Sequence, residues 1–220
     1  MSTPPIKSFE NARWTSFRQS IEFRHTAALG LIKEGPVLDI GCGDGLLLSL
    51  CKDARIEAQG IDFSDAAILH CKEQELNTQQ VDISILPLPF ADKSFPIVIA
   101  LDVLEHTYDP LPLLSEMKRI SSRNVIIGVP NFSSLPARLQ MFFGKVPENN
   151  RSKKGHIYWF NWSVLYSLVK KSGLRISSLR VNALWERMPL IGFLSRALAK
   201  IFPSLFALSF VIVCDYDSTS

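Results

Sequence analysis

The stretch "VLDIGCGDGLLL", Val37 to Leu48, constrains this chain more than any other. Its first residues are a short apolar run bounded by turn residues, which predicts a buried strand. Glycines then alternate with other residues at Gly41, Gly43 and Gly45, and an apolar helical pattern follows at once. Strand, glycine turn and helix in that order open a βα unit. Gly41 and Gly43 allow a tight turn with unusual φ, and both let a ligand come close to the backbone. A helix beginning near Asp44 presents N–H groups and the positive end of its dipole, where an anionic or zwitterionic group fits.

The same alternation continues. "EAQGIDFS" reads as a second strand ending in an acid, and "SDAAILHCKEQE" as a helix with Ser64 as N-cap. "TQQVDIS" is a weaker third strand, and "LPLPFADKS" a Pro-rich connection. "FPIVIALDV" is a continuous apolar run, which predicts burial on both faces. "DPLPLLSEMKRIS" is a helix and "NVIIGVPN" a fifth strand. Strands alternating with helices of this length mean a parallel sheet, an α/β fold of doubly wound type.

Upstream, the pattern predicts one helix from about Trp14 to Glu34. Phe17, Ile21, Ala28 and Ile32 share a face, and Gly35-Pro36 stops it. After Asn131 the rhythm changes. A helical "SSLPARLQMFFG", a loop "KVPENNRSKKGH", a helix ending at Gly173 and the strand "LRISSLRV" follow in turn. Leu190, Leu194, Ala197, Leu198 and Ile201 then fall on one side of an amphipathic helix, Pro189 to Phe202, before the strand "LFALSFVIVCDY".

Composition excludes several classes. At 220 residues the chain suits one domain with a sizeable core. A net charge of +3 with no basic stripe among aromatics gives no reason to expect nucleic acid. The short "RSKK" run, Arg151 to Lys154, reads as a solvated loop. The four cysteines, Cys42, Cys51, Cys71 and Cys214, have neither zinc-site nor disulfide-framework spacing, so reduced thiols in a cytoplasmic protein are expected, with no metal site. "MSTPPIKSFENARW" has no apolar stretch of the secretory kind. The greasy segment Met188 to Cys214 is broken by Arg196, Lys200 and Pro203, short of the roughly 20 apolar residues of a spanning helix.

The turn is G-x-G-x-G, one residue shorter than the dinucleotide pattern, and Asp39 stands two positions before it. One βα unit later, "GIDFS" puts Asp62 at a strand end, where a carboxylate can accept from both ribose hydroxyls of an adenosyl ligand. Phe63 is placed to cover an adenine face. "VDIS" adds Asp82 and Ile83 after the third strand, and "SFPIVIALDVLEHTYDP" carries Leu101 to His106. From Val37 to Val129 these ordered motifs resemble those of class I S-adenosylmethionine (SAM)-dependent methyltransferases. Pro96 departs from that pattern, standing where an Asp is common, and it fits a strand entrance.

The resemblance implies a doubly wound, seven-stranded, mostly parallel sheet with an antiparallel last strand, supplied by the terminal apolar run. It implies SAM as cofactor and S-adenosylhomocysteine as product. The cofactor would be held by Asp39, Gly41, Cys42, Gly43, Gly45, Asp62, Phe63, Asp82, Ile83 and Leu101. The expected organisation is a single domain: an N-terminal helical cap over 1–36, a SAM-binding core over 37–130, and an acceptor-side lid with the last strands over 131–220.

Methyl transfer asks for alignment and dryness more than for covalent help, and for a base only where the acceptor must lose a proton. Acceptor-side candidates are Glu105, His106, Tyr108, Asn131, His156 and Tyr158, with His106 and His156 as the candidate catalytic residues. Arg138 is a weaker candidate for an acidic acceptor, and Trp159, Phe160 and Trp162 read as core. Pro130-Asn131-Phe132 and the His156 to Phe160 run resemble the matching part of MetW-type proteins of methionine metabolism. They equally resemble methyltransferases of bacterial surface-glycan or lipid-linked biosynthesis. Three readings stay open: a methyltransferase for a small-molecule or lipid-linked acceptor, with O-methylation favoured; a non-catalytic adenosyl-binding subunit with a protein partner; and an NAD-binding module, which the short glycine spacing disfavours. Leu190 to Phe202 is open to core packing or to a peripheral membrane contact.

Overall fold

The structure is a computed structural model that describes residues 5–16, 20–151, 154–186 and 188–216. The strands are β1 (Val37–Ile40), β2 (Ala58–Asp62), β3 (Thr78–Gln80), β4 (Phe95–Leu101), β5 (Ser121–Pro130), β6 (Leu174–Ala183) and β7 (Ala207–Tyr216). The helices are α1 (Pro5–Ser16), α2 (Phe23–Leu29), α3 (Leu46–Asp53), α4 (Asp65–Glu73), α5 (Pro110–Ile120), α6 (Leu135–Phe142), α7 (Trp162–Lys171), α8 (Pro189–Ile201) and α9 (Pro203–Phe206). The seven strands hydrogen-bond in the order β3-β2-β1-β4-β5-β7-β6. Backbone packing gathers the chain into two units: 1–101 with 116–126, and 102–115 with 127–220.

In the first unit β1 lies parallel between β2 and β4, with Ile40 opposite Ile61 on one side and Ala100 on the other. Val37, Leu38, Ile40, Val98 and Ile99 have no exposed surface, as strands covered on both faces require. Pro96 precedes the first paired residue of β4, Ile97, so its missing N–H costs the ladder nothing. The strand order reverses between β1 and β4, and the glycine turn leaves the carboxyl end of β1. This is where open α/β sheets take ligands.

The single helix predicted from Trp14 to Glu34 is two. α1 ends at Ser16 and α2 starts at Phe23. The break has a local cause: Glu22 is extended, and its N–H donates to His25 Nδ1 at 3.1 Å, capping α2. Ala28 and Ile32 are buried as expected, Ile21 is exposed, and Phe17 lies outside the described residues. α1 instead packs on α4. Asn11 Oδ1 accepts from Ser64 Oγ at 2.7 Å, and Lys7 pairs with Asp65 at 2.9 Å. Ser64 caps α4 as its sequence predicts, accepting from the Ala67 N–H.

The Pro-rich connection before β4 is held by α5. Arg119 donates to both Glu116 oxygens, to Asp92 and to the carbonyls of Leu88 and Phe90. The Leu88 N–H returns a bond to Glu116 at 2.9 Å.

In the second unit β6 and β7 pair antiparallel from Leu174–Tyr216 to Ala183–Ala207. Phe160, Leu165, Phe210 and Ile212 are fully buried there. α8 turns its larger apolar side chains outward. The residues it buries are small: Gly192, Ser195 and Ala199. A Cβ on Gly192 would sit 2.5 Å from the Glu186 carbonyl, so the helix approaches that turn too closely for any side chain. Leu194 and Ile201 are 58% and 68% exposed, and Phe193 is 72% exposed. The Pro189 and Leu190 side chains lie outside the described residues. Among the described residues no helix is long and apolar enough to cross a membrane.

Candidate functional site

The turn after β1 is built on three left-handed glycines, with φ of 72° at Gly41, 56° at Gly43 and 83° at Gly45. The Gly41 and Cys42 N–H groups both bond the Ile61 carbonyl, at 2.8 and 3.0 Å, which ties the turn to the end of β2. Asp62 completes the tie. One carboxylate oxygen accepts from the Gly43 N–H at 2.9 Å, the other from the Ser64 N–H at 2.8 Å. A carboxylate accepts at about four sites, so these two donors leave capacity for further hydroxyl groups.

Gly45 is needed for a reason other than ligand approach. A Cβ there would meet Leu76 Cδ1 at 2.5 Å and Cys71 Sγ at 2.9 Å, so its bareness lets the turn pack on the layer behind it. Gly60, which the sequence did not single out, plays the same part: its Cβ would fall 2.7 Å from Cys42 Sγ. The Cys42 side chain is therefore core, clustered with Leu48, Cys71 and Leu76, and only its backbone belongs to the turn. A hydrogen bond with Cys71, burial and the nearby aspartates hold the Cys42 thiol well above its ordinary pKa. All four cysteines are buried free thiols.

Three aspartates of this turn are buried: Asp39, Asp44 and Asp62. Burial, and then the charge of Asp62, push the Asp39 carboxyl up to about 8. At neutral pH Asp39 is mostly protonated, chiefly because burial penalises its charged form.

The other expected cofactor residues lie in the same unit. Phe63 is half-buried with Lys7 Nζ 5.6 Å from its ring centre. Asp82 accepts from the N–H and hydroxyl of Ser84, at 2.9 and 2.6 Å. Ile83 and Leu101 are half-buried, and Leu101 ends β4.

The second unit brings Glu105, His106 and His156 together. Glu105 and His106 form a 3-10 turn, Leu104 to His106. The strand-like run from Gly155 is laced to it: the N–H groups of Ile157 and Tyr158 both donate to the Glu105 carbonyl, at 2.9 and 3.0 Å. His106 Nδ1 bonds the Gly155 carbonyl at 3.1 Å, and His156 Nδ1 the Asn149 carbonyl at 2.8 Å. A carbonyl only accepts, so each Nδ1 carries a proton. The two rings meet edge to face with centres 4.9 Å apart, and His156 Nε2 lies 3.8 Å from Glu105 Oε1. The Glu105 side chain has no exposed surface.

The remaining candidates are placed otherwise. Asn131 is a structural clamp: its amide donates to the Ala207 and Ser204 carbonyls at 2.7 and 3.0 Å, and its oxygen accepts from Ser133. Tyr108 is 84% exposed. Arg138 Nε bonds the Ser133 carbonyl, and Tyr158 packs on Phe160. Phe160 and Trp162 are packed as expected, the latter 5.7 Å from Phe210. Trp159 is 60% exposed and stacked on Phe132, so it is not core.

The fold is that of class I SAM-dependent methyltransferases: a mostly parallel seven-stranded sheet whose last strands run antiparallel, flanked by helices. Magnesium protoporphyrin IX methyltransferase of Synechocystis, solved with bound SAH, superposes with a TM-score of 0.67 over 96% of this chain and 98% of that one, at 15% identity. Residues 23–173 match the family described as "Methionine biosynthesis protein MetW", and the chain belongs to that family. Among curated proteins it is 34% identical over 97 residues to the ubiquinone biosynthesis O-methyltransferase of Alkalilimnicola ehrlichii, covering 42% of this chain and 39% of that one. It is 30% identical over 114 residues to phosphatidylethanolamine N-methyltransferase of Cereibacter sphaeroides, covering 49% and 56%. The chain thus spans about half or less of the length of the curated relatives it matches.

Proposed function

We propose that this protein is a SAM-dependent methyltransferase for a small-molecule or lipid-linked acceptor, with O-methylation favoured. The observation that carries the reading is the glycine turn with its three buried aspartates, one of which has its pKa pushed up to about 8 by burial and then by the charge of Asp62. SAM suits that donor set, because its ammonium and sulfonium groups are cationic and its ribose offers two hydroxyls. When bound, SAM supplies a methyl group already activated on sulfur. Asp62 holds the ribose hydroxyls while bracing the Gly43 and Ser64 N–H groups. Asp39 gives up its proton to face the cationic end. The backbone of Gly41, Cys42, Gly43 and Gly45 admits the amino-acid end, and Phe63, Asp82, Ile83 and Leu101 border the adenosine.

His106 and His156 serve the acceptor. Each ring is held through its Nδ1–H, so Nε2 is the nitrogen that would take a hydroxyl proton. The division of labour follows as cap over 1–36, cofactor core over 37–130 and acceptor side over 131–220.

Calorimetric titration with S-adenosylhomocysteine, with NAD as control, tests the cofactor. Micromolar binding is expected, weakened roughly ten- to a hundredfold in Asp62→Ala through the loss of one or two charge-assisted bonds. Unchanged affinity in a folded variant refutes the assignment of Asp62.

The family match favours a second reading, an adenosyl-binding subunit that works with a protein partner in methionine metabolism. S-adenosylhomocysteine binding without turnover on any acceptor, together with a tight partner on pull-down, would select it. The outward apolar side of α8, with Phe193, Leu194 and Ile201 exposed near Arg196 and Lys200, supports a peripheral contact with anionic membrane, suited to a lipid-linked acceptor.

A further inference from the structure

We propose that Glu105, His106 and His156 form a binding site for a first-row divalent transition-metal ion, with zinc as its reference occupant. Metal uptake does not depend on the transferase reading.

The ligand-type atoms of the three side chains all lie within 4.8 Å of one another. Donors held at 2.0–2.2 Å from a tetrahedral ion stand about 3.3–3.6 Å apart. The His156 Nε2 to Glu105 Oε1 separation of 3.8 Å is already near that value.

A second observation is independent of these distances. Both imidazoles are turned by an Nδ1–H bond to a main-chain carbonyl, Gly155 for His106 and Asn149 for His156. This is the arrangement that fixes the tautomer and aims the Nε2 lone pair of a metal-bound histidine. A single oriented histidine has many ordinary explanations. Two, from turns about fifty residues apart in the chain, stand with rings 4.9 Å apart beside one fully buried carboxylate. The turns that carry them are locked together by the Ile157 and Tyr158 N–H bonds to Glu105, so the juxtaposition is built into the backbone. Phe132 packs against His156 edge to face, with ring centres 5.4 Å apart, and further restrains that ring.

The chemistry selects the ion. Two imidazoles and one carboxylate suit zinc, manganese, iron, cobalt or nickel, whereas magnesium and calcium favour all-oxygen sets. Three protein ligands leave a coordination position open, as catalytic rather than structural sites do. Only the use of that position, to take an acceptor oxygen and lower the pKa of its proton, rests on the proposed methyl transfer, and there the ion takes over the activation assigned above to the imidazoles, whose Nε2 lone pairs it occupies.

The test is calorimetry of untagged, chelator-treated protein with zinc chloride alone, with no cofactor present, backed by metal analysis after dialysis. Manganese and magnesium chlorides follow as comparison ions. The expected result is one zinc per chain with micromolar or tighter Kd, and at least tenfold weaker binding of magnesium. His106→Ala and His156→Ala should each lose at least thirtyfold in zinc affinity while keeping the far-ultraviolet circular dichroism of the parent. His70→Ala removes a histidine engaged elsewhere, with Glu73 and the Trp14 carbonyl, and should bind as the parent does. Failure of the folded parent to take up zinc overturns the proposal, and so does undiminished uptake in both site variants. A loss of S-adenosylhomocysteine binding with zinc uptake intact would instead count against the cofactor reading alone.

Discussion

Replacing Asp39 by Asn should stabilise this protein, and by more as the pH rises. Asp39 has its pKa raised from 3.8 to about 8, first by burial and then by the charge of Asp62. A raised acid pKa means that the native state binds the proton more tightly than the unfolded state. Stability from this group is therefore complete below about pH 4 and is lost progressively as the pH climbs to 8. Each pH unit inside that window costs about 1.4 kcal/mol. Between pH 5 and pH 7 the parent should lose about 2.7 kcal/mol that an amide, which does not ionise, keeps. At 2–4 °C per kcal/mol for a chain of this size, the Tm advantage of Asp39→Asn should widen by roughly 5–10 °C over those two pH units.

The comparison must be a difference between the two proteins. His25 titrates in the opposite sense: burial, and then Arg24, lower it to about 4, so its contribution is lost as pH falls from 6.5 towards 4. That effect is common to both proteins and cancels. Melting curves of parent and variant at pH 5, 6, 7 and 8, without ligand, provide the assay. Parallel curves, or an advantage that shrinks with pH, would refute the claim that burial and the charge of Asp62 raise the Asp39 pKa.

Two further outcomes are expected. Asn131→Ala removes the donor to the Ser204 and Ala207 carbonyls and the acceptor of Ser133; Ser133 Oγ still bonds Ser204, so the loss falls on the buried Ala207 carbonyl and should cost about 1–3 kcal/mol in urea unfolding, whereas a loss under about 0.5 kcal/mol would show that the clamp is dispensable. Vesicles containing anionic lipid should sediment the protein, with Phe193→Glu reducing the bound fraction several-fold; no binding by the parent would remove the membrane contact.

The alternation of strands and helices from Val37 to Val129 was legible in the sequence because each signal is local. A continuous apolar run marks a strand covered on both faces, and a positive-φ turn demands glycine. The Asp39, Gly41 to Gly45 and Asp62 set was legible for the same reason, since consecutive parallel strands place successive loops side by side. Local signals also have limits. The helical period runs without interruption from Trp14 to Glu34, yet Glu22 and His25 cap a new helix in its middle. In α8 the apolar period was legible and the direction it faces was not. Only packing shows that small residues are needed where the helix crowds the Glu186 carbonyl, which turns the larger apolar side chains outward.

Glu105, His106 and His156 mark the boundary most clearly. Each residue was visible as a candidate, and nothing in their spacing joined them, because a separation of about fifty residues carries no geometric information. Their meeting is decided by main-chain bonds between two distant turns and by the carbonyls that aim each imidazole. Sequence determined which chemical groups the chain owns and which local turns it can make. Tertiary structure alone decided which groups share a point in space, because hydrogen bonds between remote backbones are set by the packing of the whole unit and not by neighbouring residues.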